Sequence, residues 1–154
     1  MAVQANLSVV EGQALKNLRA MIARGKSSRT FLQKHAYPTY IKAQMKRFSS
    51  ENSSQGQQWA PLNPKYAAYK LNKYASATGG GRKIMIATGK LYKSIIGAGD
   101  GHFKVITDKE MIVGTSIPYA TFPARTRSIM KFNPDFIRMI KEKWIAYMVS
   151  GKGE

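Results

Sequence analysis

The sequence predicts one α+β domain. Apolar residues recur at helical spacing near both ends of the chain, and β-prone runs are confined to the stretch between Ile84 and Thr115. Clusters of Gly, Ser and Pro separate these pieces. Together they predict two or three N-terminal helices, a small mostly antiparallel sheet, and a C-terminal helix from about Pro134 to Met148 packed on it. A chain of 154 residues suits a single domain over 1–154 and buries a core without disulfides or metal.

Taken in order, residues 1–8 read as a flexible arm, since nothing periodic begins before Val9. From there to about Arg24, Val10, Ala14, Leu18, Met21 and Ile22 mark the apolar face of an amphipathic helix. Lys16, Arg19 and Arg24 are expected to point outward, and Gly25 to end the helix. Ser27 or Ser28 can cap the next helix, whose stripe is Phe31, His35, Ile41, Met45 and Phe48, with Lys34, Lys42, Lys46 and Arg47 in solvent. Pro38 removes a donor and predicts a kink or a break there. Ser49–Gln58 is polar and aperiodic, hence a loop, with Glu51–Gln58 expected to be loosely held.

Trp59 and Leu62 flank Pro61 as large anchors. Asn63-Pro64 is a cap followed by Pro at the first helical position, so a Tyr- and Lys-rich helix starts there. Three consecutive glycines make Ser76–Arg82 a second loosely held loop. Ile84–Ile86 is a short β-prone run, and Thr88 can cap a helix carrying Leu91, Tyr92 and Ile95. After a turn cluster at Gly97–His102, Phe103–Thr107 and Met111–Thr115 form a hairpin around Asp108-Lys109-Glu110, with Val105 and Val113 on its buried face. Ser116–Arg127 reads as irregular. Asn133-Pro134 repeats the cap signature and opens the last helix, with Phe136, Ile137, Ile140, Trp144, Ile145 and Met148 apolar and residues 149–154 a frayed tail. The expected core is one cluster of Trp59, Leu62, Leu91, Ile95, Val105, Val113 and Trp144.

Charge bounds the partners. There are 25 Lys and Arg against 8 Asp and Glu, a net charge of +17. Gly12–Ser50 holds nine basic residues and no acid, and Asn52–Gly99 holds seven and no acid. Such a chain repels its own copies unless something negative is near, which implies DNA or acidic proteins as partners; a solvated basic surface is the plainer reading. No run approaches a membrane span, and the N-terminus lacks the pattern of a signal peptide. The absence of cysteine fits synthesis in a reducing cytoplasm.

Catalytic chemistry is not legible. His35 and His102 have no carboxylates at ligand spacing, so no metal is expected. Asp108 and Glu110 sit on a hairpin tip, a poor place to raise a carboxylate pKa. Gly89-Lys90 is followed by Leu91 and preceded by Ile84 where a phosphate loop needs Gly, so no nucleotide site is expected. No enzyme activity and no cofactor follow from these residues.

The ordered series Trp59-x-Pro61-Leu62, Tyr66, Lys70, Thr88-Gly89-x-Leu91-x-x-Ser94-Ile95, Val113-Gly114-Thr115 and Tyr119-Ala120 resembles the tail-completion, or virion morphogenesis, family of tailed bacteriophages. The likeness runs over roughly residues 40–127. Members commonly carry a His- and Gly-containing stretch between Tyr-Ala and Pro-Ala-Arg, which is shortened here between Ala120 and Pro123. The resemblance implies a non-catalytic structural protein of the virion neck or upper tail, assembled in the host cytoplasm. It implies a homo-oligomeric ring, with a hexamer expected, that meets connector or adaptor proteins and tail terminator or tail-tube proteins, with DNA in the channel as a further contact. Arg82, Lys83, Arg125 and Arg127 lie in irregular stretches and are the candidate partner contacts. The alternative class is a small basic nucleic-acid-binding protein, for which Tyr66, Tyr69, Lys70, Lys73 and Tyr74 would form the aromatic and basic surface.

Overall fold

A computed structural model describes residues 2–77 and 81–152, with side chains from Gly12 onward apart from Ala124. The chain is α+β. The first helix, α1, spans Ala2–Lys26, so the stretch expected to be an arm has helical backbone and Gly25 lies inside the helix. From Gly12 to Arg19 every side chain is exposed; only Ala20, Met21 and Arg24 are half-buried. Arg24 points toward the body rather than to solvent, its Nε donating to the Met148 carbonyl at 2.8 Å.

The second rod is continuous through Pro38. A short α2 (Arg29–Phe31) passes into a π-helical turn at Leu32–Ala36 and then into α3 (Tyr37–Ser49). The wider turn just ahead of Pro38 accommodates the missing donor without a break. It also inserts a residue into the apolar rhythm, so the buried stripe runs Phe31, Ala36, Tyr40, Gln44, Arg47 and Phe48, and Met45 is exposed. Arg47 is therefore not a solvent residue. It is fully buried, donates to the carbonyls of Ile129 and Lys131, and lies 4.9 Å from the Phe132 ring centroid. Burial pushes its guanidinium pKa down.

The polar loop after α3 is stitched in place. Glu51 and Asn52 adopt positive φ, the Trp59 amide donates to the Glu51 carbonyl at 2.8 Å, and Gln55 Oε1 accepts from the Asn133 amide at 3.2 Å. Asn63 caps α4 (Pro64–Lys73) by accepting from the Lys65 amide, as its sequence requires. Part of the glycine loop, residues 78–80, lies outside the described residues. Ile84–Ile86 is not a strand: Met85 has φ +66, and the turn it makes sends Ile84 and Ile86 both into the core. The cap position of α5 (Lys90–Ile95) is Gly89 in left-handed geometry, with Thr88 Oγ1 accepting from the Lys90 amide at 3.3 Å.

Among the described residues the sheet is one antiparallel hairpin, β1 (His102–Ile106) and β2 (Met111–Thr115). The register pairs His102 with Thr115, Lys104 with Val113 and Ile106 with Met111, which puts these six on one face. That face meets α5 and α3. Thr115 and Ser94 share a hydroxyl bond at 2.8 Å, and His102 Nδ1 donates to the Ser94 carbonyl at 2.7 Å while Nε2 accepts from the Tyr37 hydroxyl at 3.0 Å. His102 is thus a structural clamp. Val105 pairs with Ile112 on the opposite face and is exposed, contrary to its expected burial.

Residues expected to be irregular form a short turn at Pro118–Ala120 and a helix, α6 (Thr121–Thr126). Asn133 then caps α7 (Pro134–Ser150), accepting from the Phe136 amide. The core is not one cluster. Phe48, Trp59, Ile84, Ile86, Leu91, Ile95, Ile117, Ala120 and Ile129 form the larger one. Phe31, Ala36 and Tyr147 form a second, with Trp144 and Met111 packed on it, so Trp144 belongs with the far end of the rod rather than with Trp59. Ile137 and Ile145 remain exposed on α7.

Candidate functional site

Helix α4 presents Tyr66 and Lys70 one turn apart, with Leu62 just ahead of its cap. Opposite them, the turn at Met85–Gly89 delivers Ala87 and Thr88, α5 contributes Lys90 and Leu91, and the turn into α6 adds Tyr119, Pro123 and Arg127. These residues line one cleft of about 270 Å³. Its wall is largely apolar, and its charged lining residues, Lys70, Lys90 and Arg127, are all cationic.

Two of these cations are held rather than free to roam. Lys70 is 2% exposed and its ammonium donates to the Lys83 carbonyl; burial pushes its pKa down, with Glu51 acting the other way. Gly81 makes this possible. It has φ +69, and a Cβ there would sit 2.5 Å from the Lys70 carbonyl oxygen and 2.8 Å from Leu71 Cα. Arg127 reaches back to donate to the Ala60 carbonyl at 3.0 Å, while its buried Nε has no partner among the described residues.

The four expected contact residues therefore separate. Arg127 lines the cleft. Lys83 braces the loop before it, donating to the Ser49 carbonyl at 2.8 Å. Arg82 and Arg125 are exposed and do not line the cleft. Lys70 was legible as part of a basic helix face; its burial was not, because it depends on Gly81 closing over it from a distant loop. The same burial removes Lys70 from the aromatic and basic surface of α4, where Tyr69, Lys73 and Tyr74 remain together, the Lys73 ammonium 5.1 Å from the Tyr69 ring.

Among the described residues no group of three or more His, Cys, Asp or Glu could hold a metal ion, and no helix is long and apolar enough to cross a membrane. No family model, no curated protein and no solved structure matches the chain. Apolar walls with fixed cations can grip an acidic, partly apolar segment.

Proposed function

We propose that this chain is a non-catalytic structural subunit of a tailed-phage neck or upper tail, which completes the tail and joins it to the head as part of a ring. One observation carries the reading. Most residues of the ordered motif series, spread from Trp59 to Ala120, lie in the cleft or in the larger buried cluster beside it, Pro61, Val113 and Gly114 being exceptions. Leu62, Tyr66, Lys70, Thr88, Gly89, Leu91 and Tyr119 line the cleft, Trp59, Ile95 and Ala120 lie in the cluster of buried residues that also holds Leu91, and Ser94 bonds to Thr115 across two motifs.

The cleft offers cations to a partner. Acidic faces of connector or tail-tube proteins fit it better than DNA, since its wall is apolar and concave, whereas phosphate contacts favour open basic surfaces. The exposed Tyr69 and Lys73 pair keeps the nucleic-acid reading as the second one.

Deleting the gene in its phage and imaging the particles tests the proposal. Filled heads and tails that fail to join, or tails of faulty length or end, are expected. Normal infectious particles would end it, and a defect confined to DNA replication or transcription would favour the nucleic-acid reading.

A further inference from the structure

Helix α4 lends Tyr66 and Lys70 to the cleft, and Lys70 is its one buried residue. Its other side is open. At about 100° per residue, Lys65, Tyr66, Tyr69, Asn72 and Lys73 fall within roughly 120° of one another, and all five are exposed. Tyr66 stands at the edge of this face, bordering the cleft. Tyr66 and Tyr69 are 47% and 50% exposed, with ring centroids 6.3 Å apart and planes inclined at 33°. Lys73 is held among the rings: its ammonium donates to the Tyr69 hydroxyl and lies 5.1 Å from the Tyr69 ring centroid and 5.8 Å from that of Tyr74.

Charge decides the kind of partner. The helix carries no acid, and none occurs anywhere from Asn52 to Gly99. Glu51, just before this stretch, is half-buried and accepts from the Ile84 amide at 2.9 Å. Gly81 packs on the helix backbone at Lys70 and Leu71, which brings the exposed Arg82 beside α4 as a further cation. Among the described residues none of Lys65, Lys73 and Arg82 forms an ion pair.

We propose that this outer face of α4 binds single-stranded nucleic acid, with bases stacking on Tyr66 and Tyr69 and phosphates meeting Lys65 and Lys73. The inference goes beyond the virion role and holds equally for a neck subunit and for a free binding protein. Single strands fit better than a duplex, because paired bases keep their faces stacked on one another and leave an exposed phenol ring nothing to cover. An acidic protein would pair with the lysines, but the anchors of a protein interface sit in packed pockets. Tyr69 and Lys73 stand on the convex side of a helix instead. Stacking on such rings tolerates any base, and the phosphates supply the attraction.

Fluorescence anisotropy of the full chain tests this with short labelled oligothymidylate and oligouridylate. A duplex of the same length and a polyglutamate of equal charge are the comparisons. The parent should bind a single strand more tightly than either comparison; tighter binding of one oligonucleotide names the sugar and supports the site. Tyr69→Ala changes no charge and should weaken single-strand binding about 5- to 100-fold, while Tyr69→Phe, which keeps the ring, should bind like the parent. Lys73→Ala should make the log–log salt slope shallower by about 0.7, as for one phosphate contact on a single strand. Lys141→Ala, the same charge change at an exposed position on α7, should leave the slope unchanged. Unchanged helix content and melting check that each variant is folded.

Single-strand affinity unaffected by Tyr69→Ala would overturn the proposal, as would equal losses for Lys73→Ala and Lys141→Ala. Polyglutamate bound as tightly as the oligonucleotides would overturn it in favour of an acidic protein, and preference for the duplex in favour of double-stranded DNA. A parent that binds no oligonucleotide would also end it. None of these outcomes touches the particle-imaging test, which judges the virion role separately.

Discussion

The larger buried cluster and α1 are opposites. The cluster is assembled from turns and short pieces: Trp59 from a loop, Ile84 and Ile86 from a turn, Leu91 and Ile95 from a helix of six residues. Only Leu91 and Ile95 announce themselves by periodicity, yet together these residues form the larger buried cluster. Among the described residues helix α1 is the longest regular element, 25 residues, and Leu15, Leu18 and Ile22 of its apolar stripe are exposed. Local regularity tells which residues share a face; it does not tell whether that face is covered by the same chain. A helix this lightly packed gains little from its own body, and in proteins most helical stability comes from packing.

The largest effect should fall on the cluster. Phe48→Ala removes a fully buried ring that contacts Trp59 and Tyr92 edge-on at centroid distances of 5.4 and 5.2 Å. It is expected to cost about 3–5 kcal/mol in denaturant unfolding. A loss under about 1 kcal/mol would mean the cluster does not carry the fold.

Next comes a pH effect from α3. Burial raises the Tyr40 hydroxyl from 10.0 to about 12, against weaker lowering by Gln44 and Arg47. A raised folded pKa stabilises the fold fully below the unfolded value and loses that stability as pH rises through the folded one. Stability should fall by roughly 2–3 kcal/mol between pH 10 and 12, and Tyr40→Phe should flatten that part of the curve. An equal slope in the variant would assign the loss to other groups.

Gly81→Ala sharpens the comparison at the cleft. It combines a positive φ with contact against the α4 backbone, so a destabilisation of about 1–3 kcal/mol is expected, visible as a lower melting temperature. The smallest effect belongs to α1. In dilute protein Leu18→Ala should change stability by less than about 0.5 kcal/mol.

The sequence made the helix starts at Asn63-Pro64 and Asn133-Pro134 legible, because a cap and a proline act locally. The hairpin was legible for the same reason: its turn and alternation are short-range. What was hidden depends on long-range geometry. The π turn before Pro38 shifts the buried stripe by one residue, so Gln44 and Arg47 go inside and Met45 outside. Val105 reads like Val113 in sequence, and only the packing of α5 on one face separates them. At the candidate site the motif series gave most of the lining, but the buried Lys70 and the role of Gly81 required the folded chain.

Amide hydrogen exchange of the whole chain, dilute and concentrated, reads the central contrast directly. The account predicts fast exchange over Gln13–Ile22 in dilute protein and slow exchange around Phe48 and Ile95 at both concentrations. An α1 already as protected as the cluster in dilute protein would contradict it.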